Sequence, residues 1–138
     1  MSTISVLLVD DNPIFLHCAK RFLQKRRDVT VVGTVSGGKW AINLAQNLKP
    51  DVALIDLSMS DLPGLELIPQ LRAALPEIGI IALTLFDTDD YRQAALAAGA
   101  DGFVSKNTMN TDLIPTIQRI TQADKAKLSL GETSGHNC

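Results

Sequence analysis

Five short apolar runs alternating with five amphipathic stretches predict an α/β fold: a doubly wound parallel sheet covered by helices on both faces through right-handed crossovers. Three observations carry the prediction. The runs at 4–9 (β1), 29–35 (β2), 52–56 (β3), 79–84 (β4) and 102–105 (β5) are short and rich in Val, Ile, Leu and Ala, as buried strands are. Between them apolar residues recur at three-to-four spacing, the period of a helix with one covered face. The strand ends, finally, carry chemistry the strands lack: Asp10 and Asp11 after β1, Asp56 closing β3, Thr84 closing β4, Lys106 after β5.

After Val9 and the acid pair, Asn12 can cap a helix and Pro13 suits its first position, where no N–H is needed. This helix (α1) should reach about Arg27, with Ile14, Phe15, Cys18, Ala19, Phe22 and Leu23 as its apolar stripe. Lys20, Arg21, Lys25, Arg26 and Arg27 crowd its later turns, where cations match the negative helix end and face solvent. Val29 to Val35 is β-branched and strand-like. Ser36-Gly37-Gly38 opens a second helix to about Asn47 (α2), with Trp40, Ala41, Leu44, Ala45 and Leu48 inward and Trp40 in the core or anchoring an edge. Asp51-Val-Ala-Leu-Ile-Asp56 reads as a central strand whose last carboxylate, costly to bury unpaired, needs a cation nearby. The next helix spans 64–75 (α3), and Pro69 inside it predicts a bend or a late start. Asp87 to Ala98 (α4) starts acidic and ends at Gly99. Thr111 to about Gln122 (α5) should begin at or just before Pro115. Residues 1–123 form one domain, and 124–138 read as a polar linker or tail.

With 138 residues and a net charge of −2, one domain is expected, with no basic footprint for nucleic acid or a membrane surface. No apolar run approaches a bilayer span and no signal peptide precedes β1, so a cytoplasmic protein is expected. Cys18 and Cys138 read as a packed and a tail cysteine, not a disulfide framework. His17 and His136 are not spaced as metal ligands.

If β1 and β3 are neighbours, about 4.8 Å apart, Asp10, Asp11 and Asp56 converge. Three adjacent carboxylates repel, and a hard divalent cation resolves the conflict; Mg2+ prefers one or two carboxylates with waters and a phosphate oxygen. Asp56 could then attack phosphorus in line, with Lys106 as a point charge on the phosphoryl group and Thr84 as a hydroxyl donor. Singly, an Asp after a strand is usually a helix cap, a Thr there β-branched filler and a Lys solvated; four strand ends carrying the needed set together argue against coincidence.

These residues resemble the receiver domain of two-component response regulators, over about Ile4 to Gln122. The acid pair Asp10-Asp11, Asp56 followed by Met59 and Gly64, Thr84, Phe103 and Lys106 carry the likeness. It implies a flavodoxin-like, three-layer (βα)5 sheet of order 2-1-3-4-5, a phosphoacceptor at Asp56 and Mg2+ held by Asp11, Asp56 and the Ser58 backbone carbonyl, with Asp10 acting through water. It implies a Thr84–Phe103 switch that alters the α4-β5-α5 surface, and autocatalysed phosphorylation and slow dephosphorylation instead of ordinary turnover. A sensor histidine kinase or phosphotransfer protein would be the donor, and a second copy could bind through α4-β5-α5.

Departures refine this. Ser60 stands where many members have Pro, implying a less rigid loop. Leu85 and Phe86 put bulk after Thr84, so these two and Met59 would govern access to the phosphoryl pocket and slow phosphoryl loss. Asn107 follows Lys106 where many members carry a cis proline. That Asn and the Ala97-to-Phe103 run resemble receivers of LuxR-type regulators, which carry a C-terminal helix-turn-helix. Residues 123–138 are too few for one, so no DNA contact is expected of this segment; any output domain would be missing from it. Rival readings fit the residues less well. A Mg2+-dependent phosphohydrolase would want an acid two residues after the nucleophile, where Ser58 stands. A degenerate receiver acting as a phosphorylation-independent interaction module is opposed by the intact acid cluster, Thr and Lys.

Overall fold

The computed structural model describes residues 3–128. Five strands, β1 (Ile4–Val9), β2 (Val29–Val35), β3 (Val52–Asp56), β4 (Gly79–Thr84) and β5 (Gly102–Ser105), alternate with α1 (Pro13–Gln24), α2 (Ala41–Leu48), α3 (Gly64–Ala74), α4 (Asp89–Ala98) and α5 (Met109–Leu128). All pairings are parallel and the order is β2-β1-β3-β4-β5. Because strand side chains alternate, the sheet supports two cores. On one face Leu7, Val9, Ala53, Ile55, Ile80 and Ala82 pack with residues of α2, α3 and α4. On the other Val6, Leu8, Val52, Leu54, Ile81 and Leu83 pack with Ala19 and Leu23 of α1 and Leu113, Ile117 and Ile120 of α5.

Several helix boundaries differ from those the sequence suggests. The α3 helix starts at Gly64 and continues through Pro69, which is exposed, while Leu67, Ile68 and Leu71 are buried. In the same way α5 starts at Met109 and passes exposed Pro115 to reach Leu128, beyond the expected end. A proline on a wet face costs a bond that water can replace, and the packed face carries the helix through. The remainder of the proposed tail, 129–138, including His136 and Cys138, lies outside the described residues. The α1 helix stops at Gln24, three residues before Arg27.

The α2 helix begins only at Ala41, because Gly37 and Gly38 are taken up in a loop that Asp61 holds. Trp40 is 62% exposed instead of in the core, with the Lys39 ammonium 6.0 Å above its ring. Cys18 is also exposed; the inward stripe of α1 runs through Phe15, Ala19, Phe22 and Leu23. No helix among the described residues is long and apolar enough to cross a membrane.

A carboxylate cluster at the carboxyl edge of the sheet

The register that pairs Val9 with Ile55 brings the ends of β1 and β3 together. Asp10, Asp11 and Asp56 each offer a carboxylate oxygen within 4.8 Å of the others. Asp10 and Asp56 are buried, at 1% and 4% exposure. Burial of two carboxylates demands compensation, and Lys106, delivered by the end of β5, supplies it. Its Nζ donates to Asp10 Oδ2 at 2.6 Å and lies 3.3 Å from Asp56 Oδ1. A short 3-10 turn, Lys106–Thr108, follows, capped by the Ser105 hydroxyl accepting from Asn107 N–H. The peptide bond at Asn107 is trans, as the sequence suggested.

Each acid is also fixed locally. Asp10 Oδ1 accepts from Asn12 N–H at 2.8 Å, and Asn12 in turn caps α1 by accepting from Ile14 and Phe15. Asp56 Oδ1 accepts from Ser58 N–H at 3.2 Å, leaving Oδ2 with no hydrogen bond among the described residues. Burial pushes the Asp56 carboxyl above the ordinary carboxylate range; Lys106 pulls against this, the Asp10 charge adds to it and the Ser58 N–H opposes it. A carboxylate kept partly short of compensation is one a divalent cation would relieve.

The loop after β3 is pinned, contrary to the looseness expected from Ser60. In place of proline's fixed ring, Ser60 gives both its N–H (2.9 Å) and its hydroxyl (3.2 Å) to Asp11 Oδ2. Farther along, Asp61 accepts from Lys39, Gly38 and Leu62 N–H groups. The Lys39 N–H, followed by the other two, holds its carboxyl below the ordinary range. A Cβ on Gly37, whose φ is +159°, would come within 2.8 Å of Asp61 Oδ2.

The remaining residues singled out in the sequence are placed as follows. Thr84 is fully buried and its hydroxyl accepts from Phe86 N–H at 2.9 Å; no hydrogen bond joins it to Asp56 or Lys106 among the described residues. Phe103 lies on the α2–α4 face, beside Ala82 in register and with the Arg92 guanidinium 4.7 Å above its ring. Thr84, two residues after Ala82, shares that face. Met59 is buried in the same core instead of standing at the mouth of a pocket. Leu85 and Phe86 are 58% and 54% exposed, the latter stacked on Tyr91. Two contributors were missed. The Ser60 tie has no motif beyond an unusual residue in a loop. Phe15, read only as part of a core stripe, has its ring under the Lys106 ammonium.

A flavodoxin-like sheet with buried carboxylates and a lysine gathered at its carboxyl edge defines a class: an α/β module with an acidic pocket where its strands end. The model of the response regulator receiver domain matches residues 6–118, so the chain belongs to that family. Among curated proteins it is 36% identical over 122 residues to the response regulator protein VraR of Staphylococcus aureus, covering 88% of this chain and 58% of that protein. The chain thus spans a little over half the length of such relatives. A LuxR-family two-component response regulator from Aurantimonas sp. SI85-9A1 superposes with a TM-score of 0.84 at 27% identity, over 88% of this chain and 87% of that one. The signal receiver domain of the putative response regulator NarL from Mycobacterium tuberculosis gives 0.78 at 28% identity, over 91% and 99%. The protein is a receiver domain of the response regulator family, and a LuxR-family regulator is among the structures it is similar to.

Proposed function

We propose that this domain accepts a phosphoryl group on Asp56, from a sensor histidine kinase or a phosphotransfer protein, and passes the change to an output through its α4-β5-α5 surface. The observation that carries the proposal is the buried Lys106–Asp10–Asp56 grouping with a third carboxylate beside it. Asp56 Oδ2 is the nucleophile: it forms a bond to phosphorus as the bond to the donor breaks, and the electron pair leaves with the donor. Lys106 would balance charge on the phosphoryl oxygens.

The donor set fits Mg2+, a hard cation taking oxygen ligands. Asp11, Asp56 and the Ser58 carbonyl would hold it, with Asp10 acting through water; when bound, it would neutralise charge on carboxylate and phosphoryl oxygens. Thr84 would turn its hydroxyl from Phe86 N–H to the phosphoryl group, and Phe103, on the same face, would move into the space released. Leu85 and Phe86 would shield the phosphoryl group from water. The setting is the cytoplasm, a second copy of the domain is a candidate partner through α4-β5-α5, and DNA contact would fall to a LuxR-type output domain outside this segment.

Incubation with Mg2+ and acetyl phosphate followed by intact-mass measurement tests the central claim. One added phosphoryl group in the wild type and none in Asp56→Asn is expected; equal labelling of both would refute it. For the switch, a Phe103 ring in one pose with and without beryllofluoride would refute the coupling.

A further inference from the structure

We propose that Phe15 is a positioning residue for Lys106, a neutral aromatic seat that keeps the ammonium in the pocket when the carboxylates turn to a cation. This rests on the phosphoacceptor reading above and extends it to α1. Lys106 Nζ lies 4.1 Å above the centroid of the Phe15 ring. The lysine side chain is only 9% exposed, and Phe15 packs against the α1–α5 core. An ammonium over an aromatic face is held by the ring quadrupole, most strongly where water is excluded.

The other two partners of Lys106, Asp10 at 2.6 Å and Asp56 at 3.3 Å, are anions. They are also the groups a divalent cation would claim. Carboxylates drawn to a cation attract the ammonium less, and the two positive charges repel each other. Phe15 is indifferent to that competition because it carries no charge. For the same reason it does not neutralise Lys106 or contend with a phosphoryl group for it, as a third carboxylate would. The ring is set by the chain just after the acids: Pro13 begins α1 and Asn12 Oδ1 accepts from Phe15 N–H at 3.2 Å. Lys106 therefore has two kinds of holder, one that metal binding weakens and one that it leaves intact.

The effect should show in the metal-loaded state and hardly at all without metal. Fluorinated phenylalanines at position 15 drain the ring face of negative charge while nearly preserving its shape, which separates cation holding from core filling. The series, from one fluorine to five, is titrated with beryllofluoride at saturating Mg2+ and followed by amide NMR, with urea unfolding in EDTA alongside. The half-saturating beryllofluoride concentration should climb stepwise, by about three- to thirtyfold for the pentafluoro ring, while the metal-free unfolding midpoint stays near that of wild type. Phe15→Tyr should bind as wild type does, and Phe15→Leu should resemble the pentafluoro chain. A flat series with normal wild-type uptake would overturn this proposal alone. A wild-type chain that takes up no beryllofluoride would overturn the phosphoacceptor reading and this one with it.

Discussion

Changing Asp56 to Asn should make the metal-free protein more stable at neutral pH, although it removes a charge that sits 3.3 Å from a buried lysine. Folding raises the Asp56 pKa because burial outweighs the pull of Lys106, so the ionised residue weakens the native state; each unit of such a rise is worth about 1.4 kcal/mol. The asparagine amide keeps the shape and an acceptor for Ser58 N–H. Lys106 is not stranded, since Asp10 Oδ2 remains at 2.6 Å. A net gain on the order of 1 kcal/mol, the common size of a single stabilising substitution, is expected, or roughly 3–5 °C in Tm for a domain of this size.

The pH dependence carries the sign. Below the unfolded carboxyl pKa, about 3.9, both states are protonated and the penalty vanishes; it grows as pH rises toward the folded pKa and persists above it. The gap between variant and wild type should thus be full at neutral pH and close in acid. Mg2+ should also narrow it by stabilising wild type more than the variant, which lacks one of the ligands. Urea unfolding in EDTA, repeated near pH 4 and with Mg2+, measures all three. A variant less stable than wild type at neutral pH, or a gap indifferent to pH, would refute the electrostatic reasoning.

Ser60→Pro, which removes both donors to Asp11, should weaken Mg2+ binding by about tenfold and Ser60→Ala by less, as measured by calorimetric titration; unchanged affinity in both would show that Asp11 needs no such support. Leu85→Ala should shorten the lifetime of the phosphorylated chain several-fold in a decay assay with intact-mass readout, and an equal or longer lifetime would count against shielding. In Gly64→Ala the new Cβ would press on the Asp56 carbonyl oxygen and come within 2.8 Å of Leu57 Cα. Backbone cannot give way as a side chain can, so a loss of about 2–3 kcal/mol in urea unfolding is expected, and a near-neutral change would mean the loop is softer than drawn.

The strands and their polar ends were legible because both rest on local composition: an apolar run that stops at an acid or a lysine leaves its mark whatever surrounds it. Helix limits were less so. Pro69 predicts a bend or a late start and Pro115 a late start, yet whether a proline interrupts a helix depends on which face it occupies, a tertiary fact. Trp40 followed the stripe of α2 in sequence but stands just before the helix begins, outside its periodicity. In the site, the acids and Lys106 could be named, and the family likeness supplied the strand order that makes them neighbours. The help from Ser60 and Phe15 could not be foreseen, because it joins residues 49 positions apart in the first case and residues 15 and 106 in the second. Nothing in either residue type announces such a contact.

The two cores share no residue, and this shapes how the molecule would absorb damage. Truncating Leu71 beneath one face and Leu113 beneath the other creates voids that cannot collapse into each other, so their energetic effects should simply sum. Lesions paired on one side would instead interfere, each already having loosened the other's surroundings. Mutational tolerance is thereby partitioned by the sheet, much as bulkheads divide a hull.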